Sequence, residues 1–340
     1  MKGFESWRGD LSEVIGRMLE VAIGHRPIKL LVLNDRIAFG LPRDGKMAGE
    51  VLKLYRPMRP KARLVAAGLS GAARCGLHGL VGRKIEGTGP CEISWLRDSG
   101  ELGFLGCNPS HGIRAVILSR DHERGLKVTK LAIGGRHGSL RDEAQKLDQF
   151  SEQHGGISSL GGLEEGPDWT AFWTKFYAKP GPRKMRGEVV PLLEKWRSDE
   201  VVRLGSVDWL ARAIEGVPES MGGKLRELIL RRALVHGDFA PWNLRWDEED
   251  LVAVDWEWGC EDGVAGLDLG HGLVAEAHLV EGLSGEKLIE RVLGQASEPR
   301  ILKHLRESGW EDLRLWLFFI LLLHRSKWQS RMEQELQFLG

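Results

Sequence analysis

This chain has no excess of positive or negative charge, only four cysteines and no long apolar run. Lys plus Arg and Asp plus Glu both number 48, so no excess charge favours nucleic acid or an anionic membrane as a partner. The four cysteines, Cys75, Cys91, Cys107 and Cys260, include no C-x-x-C pair. That spacing excludes a compact zinc site or disulfide framework and indicates reduced thiols.

The longest apolar run, at residues 316–323, is far shorter than the roughly 20 residues that a membrane-spanning helix requires. It predicts a buried helix, with a peripheral membrane contact as the minor alternative. The first residues, including Glu5, Arg8 and Asp10, lack the apolar core of a signal peptide. We therefore expect a cytoplasmic protein. Its 340 residues exceed what one hydrophobic core usually covers, which predicts two or more substructures.

The richest segment is HGDFAPWN at 236–243, followed by VDWE at 254–257. It places His236, Asp238 and Asn243 in the order of the kinase catalytic loop H-R-D-x-x-x-x-N, with the same spacing from Asp to Asn. A second acid, Asp255, follows an apolar run that reads as a short buried strand. The order and spacing of these residues predict phosphoryl-transfer chemistry.

That chemistry requires cations and accurate positioning, because a phosphoryl group in transfer spreads negative charge over its oxygens. Magnesium prefers hard oxygen ligands. Asn243 offers an amide oxygen and Asp255 a carboxylate, so both are candidate Mg²⁺ ligands. Asp238 is then available to orient the acceptor hydroxyl.

HGDFAPWN followed by VDWEWG resembles the phosphotransferase family that includes aminoglycoside phosphotransferases and choline kinases. The resemblance implies a bilobal fold similar to protein kinases, with Asp238 as catalytic base and Asn243 and Asp255 as magnesium ligands. It also implies that His236 is a structural residue of the loop and that Asp268, in the downstream Asp-Leu, braces the loop.

The resemblance is strong over 234–270, weaker over 104–180 and absent before residue 90. We expect an α+β fold with a small strand-rich lobe at 90–178 and a larger helical lobe at 179–340. Residues 1–89 are expected to form an N-terminal extension. It is interpreted as a structural cap, with an acceptor- or membrane-docking element as the alternative.

The strand predicted at 126–133 carries Lys130 among apolar neighbours, as in the kinase V-A-I-K strand whose lysine pairs with nucleotide phosphates. Lys127 is a rival of the opposite parity. A helix predicted to begin with Ser139 as N-cap places Glu143 where it could hold Lys130 by an ion pair. Lys130 and Glu143 are therefore the candidate nucleotide-binding residues.

Other elements complete the expected kinase-like arrangement. Strands at 103–106 and 113–118 flank a loop at 107–112 whose backbone could bind phosphate. A strand at 168–177 ends at a Pro/Gly break, and the backbone near Tyr177 and Ala178 could bind the adenine edge. Helical periodicity is present in four further segments, at 187–195, 207–214, 221–232 and most of 271–339.

These features predict an ATP- and Mg²⁺-dependent phosphotransferase that acts on a hydroxyl of a small molecule. A sugar, an amino alcohol, an aminoglycoside or a polysaccharide intermediate is compatible, and Glu261 and Asp262 hint faintly at a cationic acceptor. A protein kinase is disfavoured because no D-F-G or A-P-E follows Asp255. The alternative outside enzymes is a nucleotide-binding pseudokinase scaffold. His111, His137 and His271 stand in no useful spacing, and the sequence specifies no oligomeric state.

Overall fold

The computed structural model describes residues 17–32, 37–80, 83–85, 89–107, 113–121, 125–134 and 137–328. The chain forms two compact units. The first comprises residues 1–149 and 158–178, and the second comprises 150–157 and 179–340. The units divide after residue 178, where we expected a lobe boundary, whereas no division falls at residue 89.

The first unit is built on an eight-stranded antiparallel sheet with the order β3-β1-β2-β4-β5-β6-β8-β7. Residues before 90 contribute three of these strands, so this part of the chain belongs to the sheet and is not an appended cap. The strands are β1 (Ile28–Val32), β2 (Ile37–Leu41), β3 (Arg83–Ile85), β4 (Leu102–Cys107), β5 (Ile113–Asp121), β6 (Gly125–Ile133), β7 (Leu160–Glu165) and β8 (Trp169–Lys175).

Alternation along these strands creates two cores, because successive side chains point to opposite faces of a sheet. One cluster contains Phe104, Ile117 and Leu131. The other contains Phe39 and Leu118 with the helix residue Met47. The sheet is therefore covered on both faces, and a lysine on β6 must lie against one of the two layers.

Among the residues that the structure describes, the α-helices of the first unit are α1 (Gly45–Val51), α2 (Pro60–Arg74), α3 (Ser94–Arg97) and α4 (His137–Gln153), whose last turn lies in the second unit. Helix α4 begins two residues before Ser139, so the expected N-cap role of Ser139 was wrong. Its hydroxyl instead accepts a hydrogen bond from Arg114 at 2.7 Å. The helix still buries Leu140 and Ala144 on one side, and Glu143 lies on that same buried side.

The second unit combines helices with two three-stranded antiparallel sheets, ordered β10-β11-β14 and β13-β12-β9. Its strands are β9 (Lys179–Pro180), β10 (Arg197–Arg203), β11 (Ile229–Val235), β12 (Leu244–Asp247), β13 (Asp250–Ala253) and β14 (Cys260–Val264). Its helices are α5 (Val190–Trp196), α6 (Asp208–Ile214), α7 (Glu219–Arg226), α8 (Leu267–Ala275), α9 (Gly285–Ala296), α10 (Pro299–Glu307) and α11 (Leu313–Trp328). The α+β class is confirmed.

The prediction of a helix at 221–232 was wrong for the second half of that range. Helix α7 ends at Arg226, and β11 begins at Ile229. Two strands flank β11, through the pairs Val202↔Leu230 and Ala233↔Gly263. Tertiary pairing therefore overrides a local pattern that suits either structure.

The apolar run at 316–323 lies within α11, and its side chains, among them Trp316 and Phe319, are almost all buried. The predicted buried helix is confirmed. Among the residues that the structure describes, no helix is both long and apolar enough to cross a bilayer.

Candidate active site

The segment that follows β11 turns sharply at Gly237, whose φ is +76°. A Cβ atom at this position would lie 2.6 Å from the carbonyl oxygen of Trp258. Left-handed backbone and lack of space both require glycine here. The turn directs His236 inward and leaves Asp238 half-buried beside it.

His236 is fully buried and holds the loop through two contacts between its ring and backbone atoms. Its Nε2 lies 2.9 Å from the carbonyl oxygen of Val254, and its Nδ1 lies 3.2 Å from the backbone nitrogen of Asp238. Because a carbonyl only accepts and a backbone N–H only donates, these contacts fix the neutral Nε2–H tautomer. Burial lowers the pKa of His236 to about 4, which also favours the neutral ring. The structural role implied for His236 agrees with this geometry.

Asp268 holds the same loop from the first turn of α8. Its carboxylate accepts the backbone N–H groups of His236 at 2.7 Å and Gly237 at 3.0 Å. The side chain is almost completely buried, so both bonds form at low local dielectric, where charge-assisted hydrogen bonds are strong. The bracing contact that the resemblance implies is present.

Two side chains hold the carboxylate of Asp238. Asn243 donates from Nδ2 to Asp238 Oδ2 at 2.9 Å, and to the Asp238 carbonyl oxygen at the same distance. His271, on α8, lies with Nε2 3.0 Å from Asp238 Oδ1. Both carboxylate oxygens are thus oriented by neighbours, while a third of the side-chain surface remains exposed, at 33%.

The hairpin of β12 and β13 places Asn243 and Asp255 next to each other. Leu244 pairs with Ala253, and the Val254 backbone N–H donates to the Asn243 carbonyl oxygen at 2.9 Å. Asp255, which follows the strand as expected, has φ +74°. Such a backbone conformation is uncommon for any residue except glycine, and it is often found at functional sites.

The side-chain oxygen atoms of Asn243 and Asp255 are suitable ligands for magnesium. Asn243 uses its Nδ2 to bind Asp238, so its amide oxygen Oδ1 is the atom left for a metal. Asp255 would add one charged oxygen, and Mg²⁺ usually takes one or two side-chain ligands together with phosphate oxygens and water. The guanidinium of Arg245 is electrostatically coupled to the Asp255 carboxylate, while its Nη1 donates to the carbonyls of Trp242 and Leu244.

In the first unit, β6 and α4 bring Lys130 and Glu143 together. The Lys130 Nζ donates to Glu143 Oε1, so the predicted ion pair is present. Glu143 is 2% exposed, whereas the Lys130 side chain is 22% exposed. A buried acid therefore holds a partly exposed lysine side chain.

Lys127 lies on the opposite face of β6 and has different partners. Its Nζ lies 2.5 Å from Asp121 Oδ2 and 4.2 Å from the centre of the Trp173 ring. The side chain is only 8% exposed. An ion pair and a cation–π contact explain its burial as a structural feature.

His271 is the site residue that sequence reasoning missed. It stacks on His324 with ring centres 4.6 Å apart, and its contact with Asp238 depends on how α8 packs against the loop. Its position three residues after Asp268 on the same helix is the signal that could have found it. Residues 108–112 of the candidate phosphate loop, including His111, lie outside the described residues. The adenine-binding role near Tyr177 and Ala178 stays a prediction.

No family model and no curated protein matches the chain. Solved structures do resemble it. An aminoglycoside-3'-phosphotransferase of type VIII is 18% identical, with 62% of this chain and 87% of that chain covered and a TM-score of 0.39. The aminoglycoside phosphotransferase APH(3'')-Id from Streptomyces rimosus is 15% identical, with 67% and 92% covered and a TM-score of 0.42.

The same Streptomyces rimosus protein in complex with ADP and streptomycin is 16% identical, with 62% and 89% covered and a TM-score of 0.40. These structures are aminoglycoside phosphotransferases, the class that the motif resembles.

Proposed function

We propose that this protein is an ATP- and Mg²⁺-dependent phosphotransferase that transfers the γ-phosphate to a hydroxyl of a small molecule. The observation that carries the proposal is the geometry of Asp238. Its two carboxylate oxygens are oriented by Asn243 and His271, and its backbone sits in a loop braced by Asp268. A carboxylate that is oriented but still accessible suits a group that must receive a proton.

The other roles follow from the donor atoms. Asn243 and Asp255 would hold Mg²⁺, which when bound neutralises the charge that develops on the phosphate oxygens. Lys130, held by the buried carboxylate of Glu143, would contact the nucleotide phosphates. Lys127 is assigned no such role because Asp121 and Trp173 already surround its ammonium group.

In the proposed step the acceptor hydroxyl oxygen forms a bond to the γ-phosphorus. The bond from that phosphorus to the oxygen bridging the β- and γ-phosphates breaks, and ADP leaves with the bonding electron pair. The hydroxyl proton passes to the carboxylate of Asp238. His271 would keep this carboxylate directed at the hydroxyl, since precise orientation accounts for much of the rate in phosphoryl transfer.

The rival outside enzymes is a nucleotide-binding pseudokinase that serves as a scaffold. The hydrogen-bonded arrangement of Asp238, Asn243 and Asp268 disfavours it, because a scaffold has no need of an oriented, accessible base. A protein kinase remains the weaker alternative, since no D-F-G or A-P-E follows Asp255.

Formation of ADP from ATP, with a panel of hydroxyl compounds, tests the proposal directly. We expect Mg²⁺-dependent ADP formation that Asp238→Asn abolishes almost completely. A thermal-shift screen of metabolites with Mg²⁺ and a non-hydrolysable ATP analogue would identify acceptors, because a ligand that binds the native state raises its melting temperature. Nucleotide binding without ADP formation from any compound would favour the scaffold.

A further inference from the structure

A cleft of about 580 Å³ opens beside the loop of Asp238, and its described lining residues all belong to the second unit. It is bordered by Gly237 and by His271, which are respectively the neighbour in sequence and the hydrogen-bond partner of Asp238. A small molecule in this cleft would therefore lie beside the residue that hydrogen-bonds the proposed base. If the protein transfers phosphate, this is the place for the acceptor.

Two tryptophans form much of its wall. Trp209 is fixed by a hydrogen bond from its indole N–H to the Asp262 carbonyl oxygen at 2.6 Å. Trp258 is 57% exposed, and its backbone packs directly on Gly237. A large exposed indole next to a cleft is a feature of binding sites, because its flat apolar face can cover a ring of the ligand.

The one charged side chain among the described lining residues is that of an arginine. Arg212 lines the cleft, as do His271 and His324, and no Asp or Glu is among the described lining residues. Arg212 donates from Nε to the Asp208 carbonyl oxygen at 3.3 Å, and no ion pair engages it within the part of the chain that the structure describes.

One of the two acids that hinted at a cationic acceptor, Asp262, is already engaged. The carboxylate of Asp262 binds Arg232 in a salt bridge. Among the lining residues that the structure describes, Arg212 offers a guanidinium and no residue offers a carboxylate, so this part of the lining does not favour a polycationic molecule. Like charges in contact oppose binding, and such repulsion is a source of specificity.

We propose, on the basis of the proposed function, that the acceptor is a hydroxylated ring compound carrying a carboxylate or a phosphate. Its ring lies against Trp258 and Trp209, its anionic group binds Arg212, and one of its hydroxyls meets Asp238. Arginine suits this role because its planar fork can bind either anion through two parallel hydrogen bonds. Amino sugars are excluded from the preferred class.

Four sugars with similar rings test the charge preference: glucose, glucosamine, glucuronate and glucose 6-phosphate. Binding to the full-length protein is measured by calorimetry with ADP and Mg²⁺ present. We expect glucuronate or glucose 6-phosphate to bind more tightly than glucose, and glucosamine to bind least. The two anionic sugars distinguish a carboxylate site from a phosphate site. Equal or tighter binding of glucosamine, or no binding of any of the four while ADP binds, would overturn the inference.

Variants connect the preference to the residues. Arg212→Gln should weaken binding of the preferred anionic sugar about tenfold, the scale of one charge-assisted hydrogen bond at an exposed site, and leave glucose unchanged. Arg203→Gln is the matched control, since Arg203 is an exposed arginine of the same unit that pairs with Glu227. Trp258→Ala should weaken all bound sugars alike.

An unchanged preference in Arg212→Gln would contradict the assignment of the anion site. Failure of the underlying function is recognised separately: if the wild-type protein binds no nucleotide in the presence of Mg²⁺, the proposed phosphotransfer is wrong. If it forms ADP but prefers cationic acceptors, only the inference about the cleft is wrong.

Discussion

The loop at 236–243 of the second unit and strand β6 of the first unit are held by different kinds of contact. The loop is fixed through its backbone, because Asp268 accepts two main-chain N–H groups and His236 binds two more main-chain atoms. On β6, side chains hold side chains, as in the pair of Lys130 and Glu143. A loop that is fixed through its backbone needs particular residue types at each position. A charged residue on a strand needs only to point to the correct face of the sheet and to have a side chain of opposite charge nearby.

The largest effect should come from the loop itself. Asp238→Asn keeps the size and hydrogen bonding of the side chain but removes the proton-accepting carboxylate. We expect kcat to fall by roughly 10²–10⁴, the usual scale for general acid–base catalysis. Steady-state ADP formation measures the loss, and Mg²⁺-dependent binding of an ATP analogue should be largely retained.

The variant Asp255→Asn tests the proposed metal ligand, as Asp238→Asn tests the proposed base. It removes a formal charge from the proposed cation site, so the Mg²⁺ concentration needed for nucleotide binding should rise along with the loss of rate. Titrating Mg²⁺ against binding of an ATP analogue compares the two variants. The assignment is wrong if Asp238→Asn shifts the magnesium requirement and Asp255→Asn does not.

Acid should destabilise the second unit through His236. The pKa of this residue is about 4 in the folded protein and 6.5 when unperturbed, so the unfolded chain binds its proton first as pH falls. The stabilisation is complete above pH 6.5 and is lost between that value and about 4, a loss of about 3 kcal/mol. Buried His304, whose pKa is also lowered to about 4, should act in the same direction.

Urea unfolding at pH 7 and pH 4.5 measures this dependence. His236→Gln should reduce the difference in unfolding free energy between the two pH values, and His304→Gln should reduce it independently. His25→Gln, at an exposed position, serves as the control. An identical pH dependence in all three variants would show that the buried rings do not cause the acid sensitivity.

Breaking the backbone brace should have a somewhat smaller effect on stability. Asp268→Asn leaves one oxygen to accept hydrogen bonds where two now accept the N–H groups of His236 and Gly237. Loss of a charge-assisted bond to a buried donor should lower the unfolding free energy by about 2 kcal/mol. Asp262→Asn, which disrupts an exposed pair with Arg232, should cost well under about 1 kcal/mol. Similar losses of unfolding free energy in both variants would mean that the buried contacts of Asp268 stabilise the protein no more than an exposed ion pair does.

Local spacing and tertiary packing differ in what they reveal in the sequence. The roles predicted for Asp238, Asn243 and Asp255 come from the sequence because the proposed loop geometry and metal chemistry would restrict the residue types and their spacing. His271 was missed because its contact with Asp238 arises from the packing of a helix against the loop, and its spacing from Asp268 indicates only that the two side chains lie on the same side of that helix. The strand at 229–235 was missed for a similar reason, since its partners are far away in the sequence and its apolar spacing also suits a helix.

The smallest expected effect distinguishes the two lysines of β6. Lys130→Ala should weaken productive use of ATP, measured as kcat/KM for the nucleotide, by about tenfold more than Lys127→Ala does, because one charge-assisted contact to phosphate is lost. Lys127→Ala should act mainly on stability, since the Lys127 side chain is 8% exposed and packs on Trp173.

Folding must be separated from nucleotide use, because Lys130→Ala leaves the Glu143 carboxylate buried without its cation, which is costly. The double variant Lys130→Met with Glu143→Gln removes that uncompensated charge and should recover stability while the defect in ATP use persists. Unfolding free energies and kcat/KM are measured for every variant. Equal kinetic losses for Lys130→Ala and Lys127→Ala, or full recovery of activity in the double variant, would refute a phosphate-binding role for Lys130 and leave its ion pair as a purely structural element.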